Sequence, residues 1–206
     1  MTVRIGVLAL QGDFDAHARA LVAAGASAVE VRRCAALRGL DGLVLPGGES
    51  TTLLNLMADE PWFDELRRFH GEGGAIFGTC AGAILLSREV RDPAQSSLGL
   101  LDAVIERNAY GRQVDSFETE VDAPELGGAV PAVFIRAPRF RALGPRVRVL
   151  ARRQDEPVLV REGRVVAGTF HPELTGDGRI HRYFLEEVLA EPLSARRVRR
   201  AMRAAG

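Results

Sequence analysis

Short apolar runs alternate with helical patterns along the first half of the chain. Residues 3–10, 42–45 and 75–77 are nearly continuous apolar segments of strand length, and residues with the periodicity of a helix follow each of them. A shorter strand is expected at residues 29–31, and Asp13 is expected to cap the first helix. A strand that is apolar on both faces has to be buried on both faces, which is typical of a parallel sheet covered by helices. The alternation therefore predicts an α/β fold with a mostly parallel sheet and helices on both of its faces.

The pattern changes after residue 97, where apolar and polar residues alternate with the period of a half-buried strand. Gly163 lies between the last two of these stretches and predicts a hairpin, and a final helix is expected over residues 180–189. The second half is therefore predicted to be β-rich. The five stretches are residues 117–121, 132–135, 147–151, 158–161 and 165–170.

Length and charge predict one domain with a tail. A chain of 206 residues that is 47% hydrophobic is of ordinary size for a single domain, which we place at residues 1–193. Residues 194–206 contain five arginines and no acidic residue, so a frayed, solvated terminus is expected, with a basic amphipathic helix as the alternative. Because the whole chain is formally neutral, the remainder has a net charge of −5, which argues against a nucleic-acid partner.

Neither a membrane segment nor a cysteine framework is predicted. No apolar run approaches the roughly 20 residues of a membrane-spanning helix, and the first run is too short for a signal peptide, so a cytoplasmic location is expected. The two cysteines, Cys34 and Cys80, cannot form a disulfide framework and lack the spacing of a zinc site. We therefore expect no metal. Cys34 has no base or glycine turn beside it and is expected to be dispensable.

Cys80 lies in the sequence Gly-Thr-Cys-Ala-Gly, between an apolar strand and an apolar helix. This is the pattern of a nucleophile elbow, with cysteine in the place of serine. The small neighbours suit a sharp strained turn, and the start of a helix favours the thiolate form. The alternative is a cysteine that is merely buried at a tight turn.

His171, Pro172 and Glu173 directly follow the predicted strand at residues 165–170. They should therefore lie at the carboxyl edge of the sheet, where open α/β sheets place their sites. His171 could exchange a proton with Cys80, and Glu173 could fix the imidazole tautomer as the third member of a triad. A surface loop with a solvated charge is the alternative.

Gly47 and Gly48 follow the predicted strand at residues 42–45. Ser50 or Thr51 is expected to cap the helix that begins after them. Adjacent glycines allow backbone N–H groups to face a substrate oxygen, as in an oxyanion hole, although a plain tight turn has the same composition. The spacing matches neither a dinucleotide-binding nor a Walker loop, so binding of nucleotide phosphate is disfavoured.

Together these motifs resemble the class I, triad-type glutamine amidotransferases. Within that superfamily, the similarity from about residue 3 to residue 189 is strongest to the glutaminase subunits of pyridoxal 5′-phosphate synthase. The block at residues 107–118 is the most specific part. The matching segments are Leu-Gln-Gly-Asp at 10–13, Pro-Gly-Gly-Glu-Ser-Thr-Thr at 46–52, Arg-Asn-Ala-Tyr-Gly-Arg-Gln at 107–113, Asp-Ser-Phe-Glu at 115–118, Ile-Arg-Ala-Pro at 135–138 and Phe-His-Pro-Glu-Leu-Thr at 170–175.

The resemblance implies a flavodoxin-like fold and hydrolysis of L-glutamine to glutamate and ammonia, with the ammonia passed to a separate synthase subunit. It implies a triad of Cys80, His171 and Glu173 and no cofactor. The chain departs from the family at Ala16, where the family usually has glutamate, and in the tail. Oxyanion donors are expected at Gly47, Gly48 and Ala81, and glutamine-binding positions at Gly48, Glu49, Ser50, Arg107, Ile135 and Arg136.

Two other functions remain open from the residues. One is the glutaminase of another pathway, such as the histidine-pathway amidotransferase. The other is a non-hydrolytic redox sensor with an elbow cysteine. The His171–Glu173 element disfavours the sensor, because oxidation of a thiolate needs no oriented base.

Overall fold

The structure is a computed structural model that describes residues 2–107, 109 and 116–190. Strands and helices alternate through its first half, as the sequence predicts. The elements there are β1 Arg4–Leu8, α1 Phe14–Ala23, β2 Ser27–Val31, β3 Gly42–Leu45, α2 Ser50–Leu56, α3 Trp62–Gly71, β4 Ala75–Thr79 and α4 Ala81–Leu86.

Strands dominate the second half, and short helical segments end it. The elements are β5 Ser87–Arg91, β6 Leu101–Glu106, β7 Ser116–Val121, β8 Val130–Ile135, β9 Arg139–Leu143, β10 Arg148–Arg153, β11 Glu156–Glu162, β12 Val165–Gly168 and α5 Arg179–Tyr183. The remaining helical elements in the described residues are short turns, at Cys34–Leu37, Pro124–Leu126, Pro172–Leu174 and Phe184–Val188.

The main sheet of the described residues has seven strands in the order β10-β11-β12-β4-β3-β1-β2. The five strands from β12 to β2 are parallel, and β10 and β11 add an antiparallel edge. Of the two smaller sheets in the described residues, one has three strands in the order β5-β6-β9, and the other pairs β7 with β8. The mostly parallel sheet and the β-rich second half are thus confirmed, and so is the hairpin at Gly163, whose φ is +56°.

Two apolar clusters cover opposite faces of this sheet. Leu43 of β3 packs in the cluster that holds α2, α3 and α4, whereas the next residue, Val44, packs in the cluster that holds α1 and α5. Alternation of side chains along each strand produces this division, because neighbouring residues point to opposite faces. Helices on both faces are therefore confirmed.

Three strands were not predicted from the sequence. β5, β6 and β9 form a separate sheet beside the cluster of α2, α3 and α4. The predicted last helix, residues 180–189, is instead α5 followed by a π turn at Phe184–Val188.

Among the described residues, no helix is long and apolar enough to cross a bilayer. The arginine-rich tail at 194–206 and most of the block at 108–115 lie outside the described residues. The assignment of residues 1–193 to one domain stays a prediction.

Candidate active site

Four loops meet at the carboxyl edge of the parallel strands. They follow β1, β3, β4 and β12, which are neighbours in the sheet. These loops carry Gln11 and Gly12, the Gly47–Gly48 pair, Cys80, and His171. The topology therefore brings together residues that are up to 160 positions apart in the sequence, at the edge where open α/β sheets place their sites.

Cys80 sits on a strained turn between β4 and α4. Its φ is +47° and its ψ is −103°, a conformation that residues other than glycine rarely adopt, and its side chain is almost completely buried. The backbone N–H of Cys80 donates to the carbonyl of Gly168 at 2.8 Å, which fixes the turn to β12. Its Sγ lies 4.0 Å from the carbonyl oxygen of Ile135. This is the geometry that a nucleophile elbow requires.

The two glycines around Cys80 are required by close backbone contacts. A Cβ on Gly82 would lie 2.0 Å from the carbonyl oxygen of Leu45, and one on Gly78 would lie 2.6 Å from the carbonyl carbon of Gly82. Only glycine fits at either position, because the neighbouring atoms are backbone and cannot move independently. The small residues of the motif thus allow α4 to pack directly on the strands.

His171 and Glu173 form a buried pair after β12. His171 Nδ1 lies 2.9 Å from Oε1 of Glu173, and both side chains are at most 5% exposed. Burial disfavours the protonated imidazole, but hydrogen bonds to Cys80 and Glu173 outweigh it and raise the pKa of His171 to about 10. His171 is therefore protonated at neutral pH and contacts both other members of the predicted triad.

Gly47 brings the loop after β3 against this pair. A Cβ at Gly47 would lie 2.3 Å from Cε1 of His171 and 3.3 Å from Cβ of Cys80, so a side chain there would displace the imidazole. Gly48 has a φ of +130° and packs against the amide of Gln11, whose Oε1 accepts from the backbone N–H of Glu49 at 3.2 Å. Glycine is thus needed at both positions.

A cavity of about 250 Å³ opens beside Cys80. All six predicted glutamine-binding residues line it, and so do Cys80 and His171. Among the predicted oxyanion residues, Gly48 lines the cavity, while Gly47 and Ala81 adjoin lining residues in the chain. The cavity is small compared with pockets for drug-sized ligands, as suits an amino-acid substrate.

Glu49, and not Ser50 or Thr51, caps α2. The Glu49 carboxylate accepts from the backbone N–H groups of Thr51 at 3.0 Å and Thr52 at 2.6 Å. Desolvation raises the pKa of Glu49, but these hydrogen bonds dominate and lower it to about 2. The expected Ser50 or Thr51 cap was wrong because a carboxylate can reach two N–H groups at once. The Ser50 hydroxyl donates to Oε1 of Gln95 instead.

The two predicted substrate arginines differ in their partners. Arg107 contacts Oε1 of Glu49 at 3.4 Å and Oγ1 of Thr51 at 3.0 Å. Arg136 is exposed, has a φ of +41°, and has no ion-pair partner in the described part of the chain. Arg136 is therefore the arginine available for a substrate carboxylate, whereas Arg107 is engaged in holding Glu49.

Asp13 was expected to cap α1, but its side chain makes no capping hydrogen bond. It lines the cavity beside Cys80 instead, and its carboxylate lies within 4.8 Å of the nearest nitrogen or oxygen atoms of His171 and Glu173 that could bind a metal. Nδ1 of His171 already faces Oε1 of Glu173 at 2.9 Å, and we assign no metal to this group. The expected absence of a metal or cofactor stays a prediction.

Two buried histidines, His17 and His181, extend the site into the core. His17 Nε2 lies 3.2 Å from Oε2 of Glu173 and 3.1 Å from Oγ1 of Thr79, and His17 Nδ1 lies 3.0 Å from Nε2 of His181. The sequence motifs assign neither histidine a role. The signal available in the sequence is His17 itself, because it is a polar residue on the face of α1 that packs against the core.

Cys34, by contrast, is in an inert environment. Burial raises the pKa of its thiol to about 12, and a hydrogen bond and the charge of Glu60 add to the effect. The thiol therefore stays protonated, which agrees with the expectation that Cys34 is dispensable.

Comparison with known proteins identifies the family. A model of the SNO glutamine amidotransferase family matches residues 7–190. The chain is 53% identical over 186 residues to the pyridoxal 5′-phosphate synthase subunit PdxT of Koribacter versatilis, covering 90% of this chain and 96% of that protein. Its identity to a PdxT subunit of Thermus thermophilus is 56% over 184 residues, covering 88% and 96%. A crystal structure of a glutamine amidotransferase superposes with a TM-score of 0.85 at 54% identity, covering 91% of this chain and 99% of that one. The chain therefore belongs to the SNO glutamine amidotransferase family.

Proposed function

We propose that this chain hydrolyses the side-chain amide of L-glutamine at Cys80, with His171 and Glu173 completing a catalytic triad. The observation that carries the proposal is the buried His171–Glu173 pair, 2.9 Å apart, beside a strained elbow cysteine. A nucleophile, a base and a group that orients the base are the elements of covalent acyl transfer.

In the first half-reaction, the Cys80 sulfur attacks the amide carbon of glutamine. The oxyanion of the tetrahedral intermediate accepts hydrogen bonds from backbone N–H groups of the Gly47–Gly48 loop and of Ala81. His171, whose pKa is raised to about 10, carries the proton that the departing nitrogen needs. The C–N bond breaks, ammonia leaves, and a γ-glutamyl thioester remains on Cys80.

In the second half-reaction, water replaces ammonia. His171, now neutral, accepts a proton from water, and the oxygen attacks the thioester carbon. The C–S bond then breaks, glutamate leaves, and the sulfur of Cys80 and the protonated His171 are restored. Glu173 keeps the Nδ1–H of His171 in place through both steps, so that Nε2 serves as the reacting nitrogen.

Substrate binding is assigned to the residues that line the cavity. Arg136 pairs with the α-carboxylate of glutamine, since a guanidinium binds a carboxylate through two parallel hydrogen bonds. Arg107 holds Glu49, and Glu49 holds the start of α2. Gly48, Ser50 and the backbone of Ile135 complete the binding positions.

The acceptor of the ammonia is the synthase subunit of pyridoxal 5′-phosphate synthase. The named relatives are subunits of that enzyme, and they are matched over almost their whole length. This favours vitamin B6 biosynthesis over the histidine pathway, and hydrolysis over redox sensing. A cytoplasmic location, where phosphorylated sugar substrates would be found, belongs to the same proposal.

The decisive assay combines the purified chain with the cognate synthase subunit. Glutamine should support formation of pyridoxal 5′-phosphate from a pentose phosphate and a triose phosphate, with one glutamate released per product. Ammonium salts should replace glutamine when the Cys80→Ala chain is used. Product formation that depends on ammonium salts alone and never on glutamine would contradict the proposal.

A further inference from the structure

The carboxylate of Glu173 has one oxygen that the triad does not use. Oε1 binds His171, while Oε2 makes no well-aligned hydrogen bond within the described part of the chain. The nearest side-chain nitrogen is Nε2 of His17, at 3.2 Å, and both side chains are fully buried. A buried carboxylate oxygen needs a hydrogen-bond donor, so it matters which ring nitrogen of His17 carries the proton.

His17 is neutral at physiological pH. Burial lowers its pKa well below the ordinary value, and the charges of His181 and His171 lower it further. Burial also lowers the pKa of His181, to about 4. Each ring therefore carries one N–H and one lone pair, and only one of the two can donate in the contact of 3.0 Å between His17 Nδ1 and His181 Nε2.

The surroundings select which ring donates. If His17 donated, His181 would carry its other proton on Nδ1, a buried atom with no hydrogen-bond partner in the described residues, and the lone pair of His17 Nε2 would face the Glu173 carboxylate. If His181 Nε2–H donates, only a lone pair on His181 is left without a partner. His17 then directs its Nε2–H toward Glu173 Oε2 and Thr79 Oγ1. The second arrangement avoids both penalties.

We propose that His17 is a positioning residue of this site: a neutral imidazole, held by His181, whose Nε2–H faces Glu173 Oε2 and Thr79 Oγ1 and fixes the carboxylate that orients His171. A neutral donor suits this position because a cation there would compete with His171 for Glu173. Thr79 directly precedes Cys80, so the contact also ties the elbow to the carboxylate.

Other ionisable groups surround this chain of contacts from several elements. Asp13 approaches Glu173 from the start of α1, and a cavity of about 430 Å³ that Glu173 lines is also lined by other charged residues. A change in the pH profile of a His17 variant is therefore compared with the contribution that these ionisable groups make to the profile. The groups are Asp13, Arg19, Asp177, Arg182 and the nucleophile Cys80.

The role of His17 in catalysis rests on the proposed function and is tested on the complex with the synthase. His17→Leu should lower kcat for glutamine hydrolysis about 10- to 100-fold, as is common when a residue that orients a catalytic ligand is removed, and should leave KM for glutamine nearly unchanged. The alkaline limb of the pH profile should move to lower pH, because a loosely held carboxylate supports the His171 proton less well. His17→Gln, which can place an amide N–H where Nε2–H lies, should restore most of kcat.

Leu21→Ala is the matched control. Leu21 lies one turn after His17 on α1 and is fully buried in the apolar cluster. It should lower the melting temperature while leaving the pH profile unchanged. Wild-type kcat in His17→Leu, or a His17→Gln variant no better than His17→Leu, would overturn the proposal.

A second measurement needs neither a variant nor activity. ¹⁵N NMR of histidine-labelled wild-type chain should show His17 neutral and protonated on Nε2 from about pH 5 to pH 9. Protonation on Nδ1, or a cationic His17 in this range, would overturn the proposal. If the wild-type complex releases no ammonia, the proposed function fails, whereas the NMR result still decides how His17 holds Glu173.

Discussion

His171 and Glu173 are two residues apart in sequence, and their side chains meet at 2.9 Å inside the protein. Pro172 separates them and starts a single helical turn, which directs both side chains to the same side. The carboxylate holds the proton on Nδ1, so the opposite ring nitrogen is the one left to exchange a proton with substrate.

Replacing the carboxylate should change both the rate and its pH dependence. Glu173→Gln removes a negative charge that raises the pKa of His171, so this pKa should fall from about 10 and the alkaline limb of kcat/KM should move to lower pH. Because the base His171 would no longer be oriented by a carboxylate, kcat should fall about 10²- to 10⁴-fold. Ammonia release measured against pH tests this. Glu125→Gln, which alters an exposed pair with Arg148, is the control and should behave as wild type.

The two arginines of the cavity should separate by kinetics. Arg136→Gln removes the cation assigned to the α-carboxylate, so KM for glutamine should rise about 10- to 100-fold with little change in kcat. Arg146→Gln, in an exposed pair with Glu162, should leave KM unchanged. An unchanged KM in Arg136→Gln would show that another group binds the carboxylate.

The surroundings of two glycines, one packed at the elbow and one exposed, predict opposite effects when each is replaced by alanine. Gly82→Ala should destabilise the protein by about 1–3 kcal/mol, because the new Cβ would lie 2.0 Å from the backbone oxygen of Leu45. Gly71→Ala, at the exposed end of α3 with no atom within 4 Å, should stabilise it by about 0.5–1 kcal/mol. Thermal unfolding measures both, and equal melting temperatures would contradict the packing argument.

Much of the fold could be predicted from local patterns. Strands such as β3 and β4 are apolar on both faces, and this is read directly from the sequence. β5 could not be found in this way, because residues such as Arg88 and Glu89 give it a polar composition and its strand state depends on pairing with β6. Pairing of this kind depends on tertiary context more than on propensity.

The same distinction applies to the site. Cys80, His171 and Glu173 each follow a recognisable strand, so their proximity could be predicted, while their catalytic roles stay predictions. The contact of His17 with His181 joins residues 164 positions apart, and no local pattern encodes it. The sequence did not predict Glu49 as the cap of α2. The Glu49 side chain folds back to the first N–H groups of α2, and this conformation cannot be read from the sequence.

The isolated chain is expected to be a poor glutaminase that the synthase activates. Gly48 adopts a φ of +130°, and the Gly47–Gly48 peptide can turn an N–H toward or away from the oxyanion at little steric cost. Loss of one such donor lowers the rate about 10²- to 10³-fold. Ammonia release should therefore rise by this factor when saturating synthase is added, but not when serum albumin is added. Full activity of the chain alone would contradict this expectation.

The most direct test of the account compares the two cysteines in the complex with the synthase. Steady-state ammonia release from glutamine should vanish in Cys80→Ala, because the nucleophile is gone, and should be close to wild type in Cys34→Ala, whose buried thiol has a pKa of about 12. Binding of the synthase should be retained in both variants. Equal loss of turnover in the two variants, or full turnover in Cys80→Ala, would contradict the assignment of Cys80 as the nucleophile.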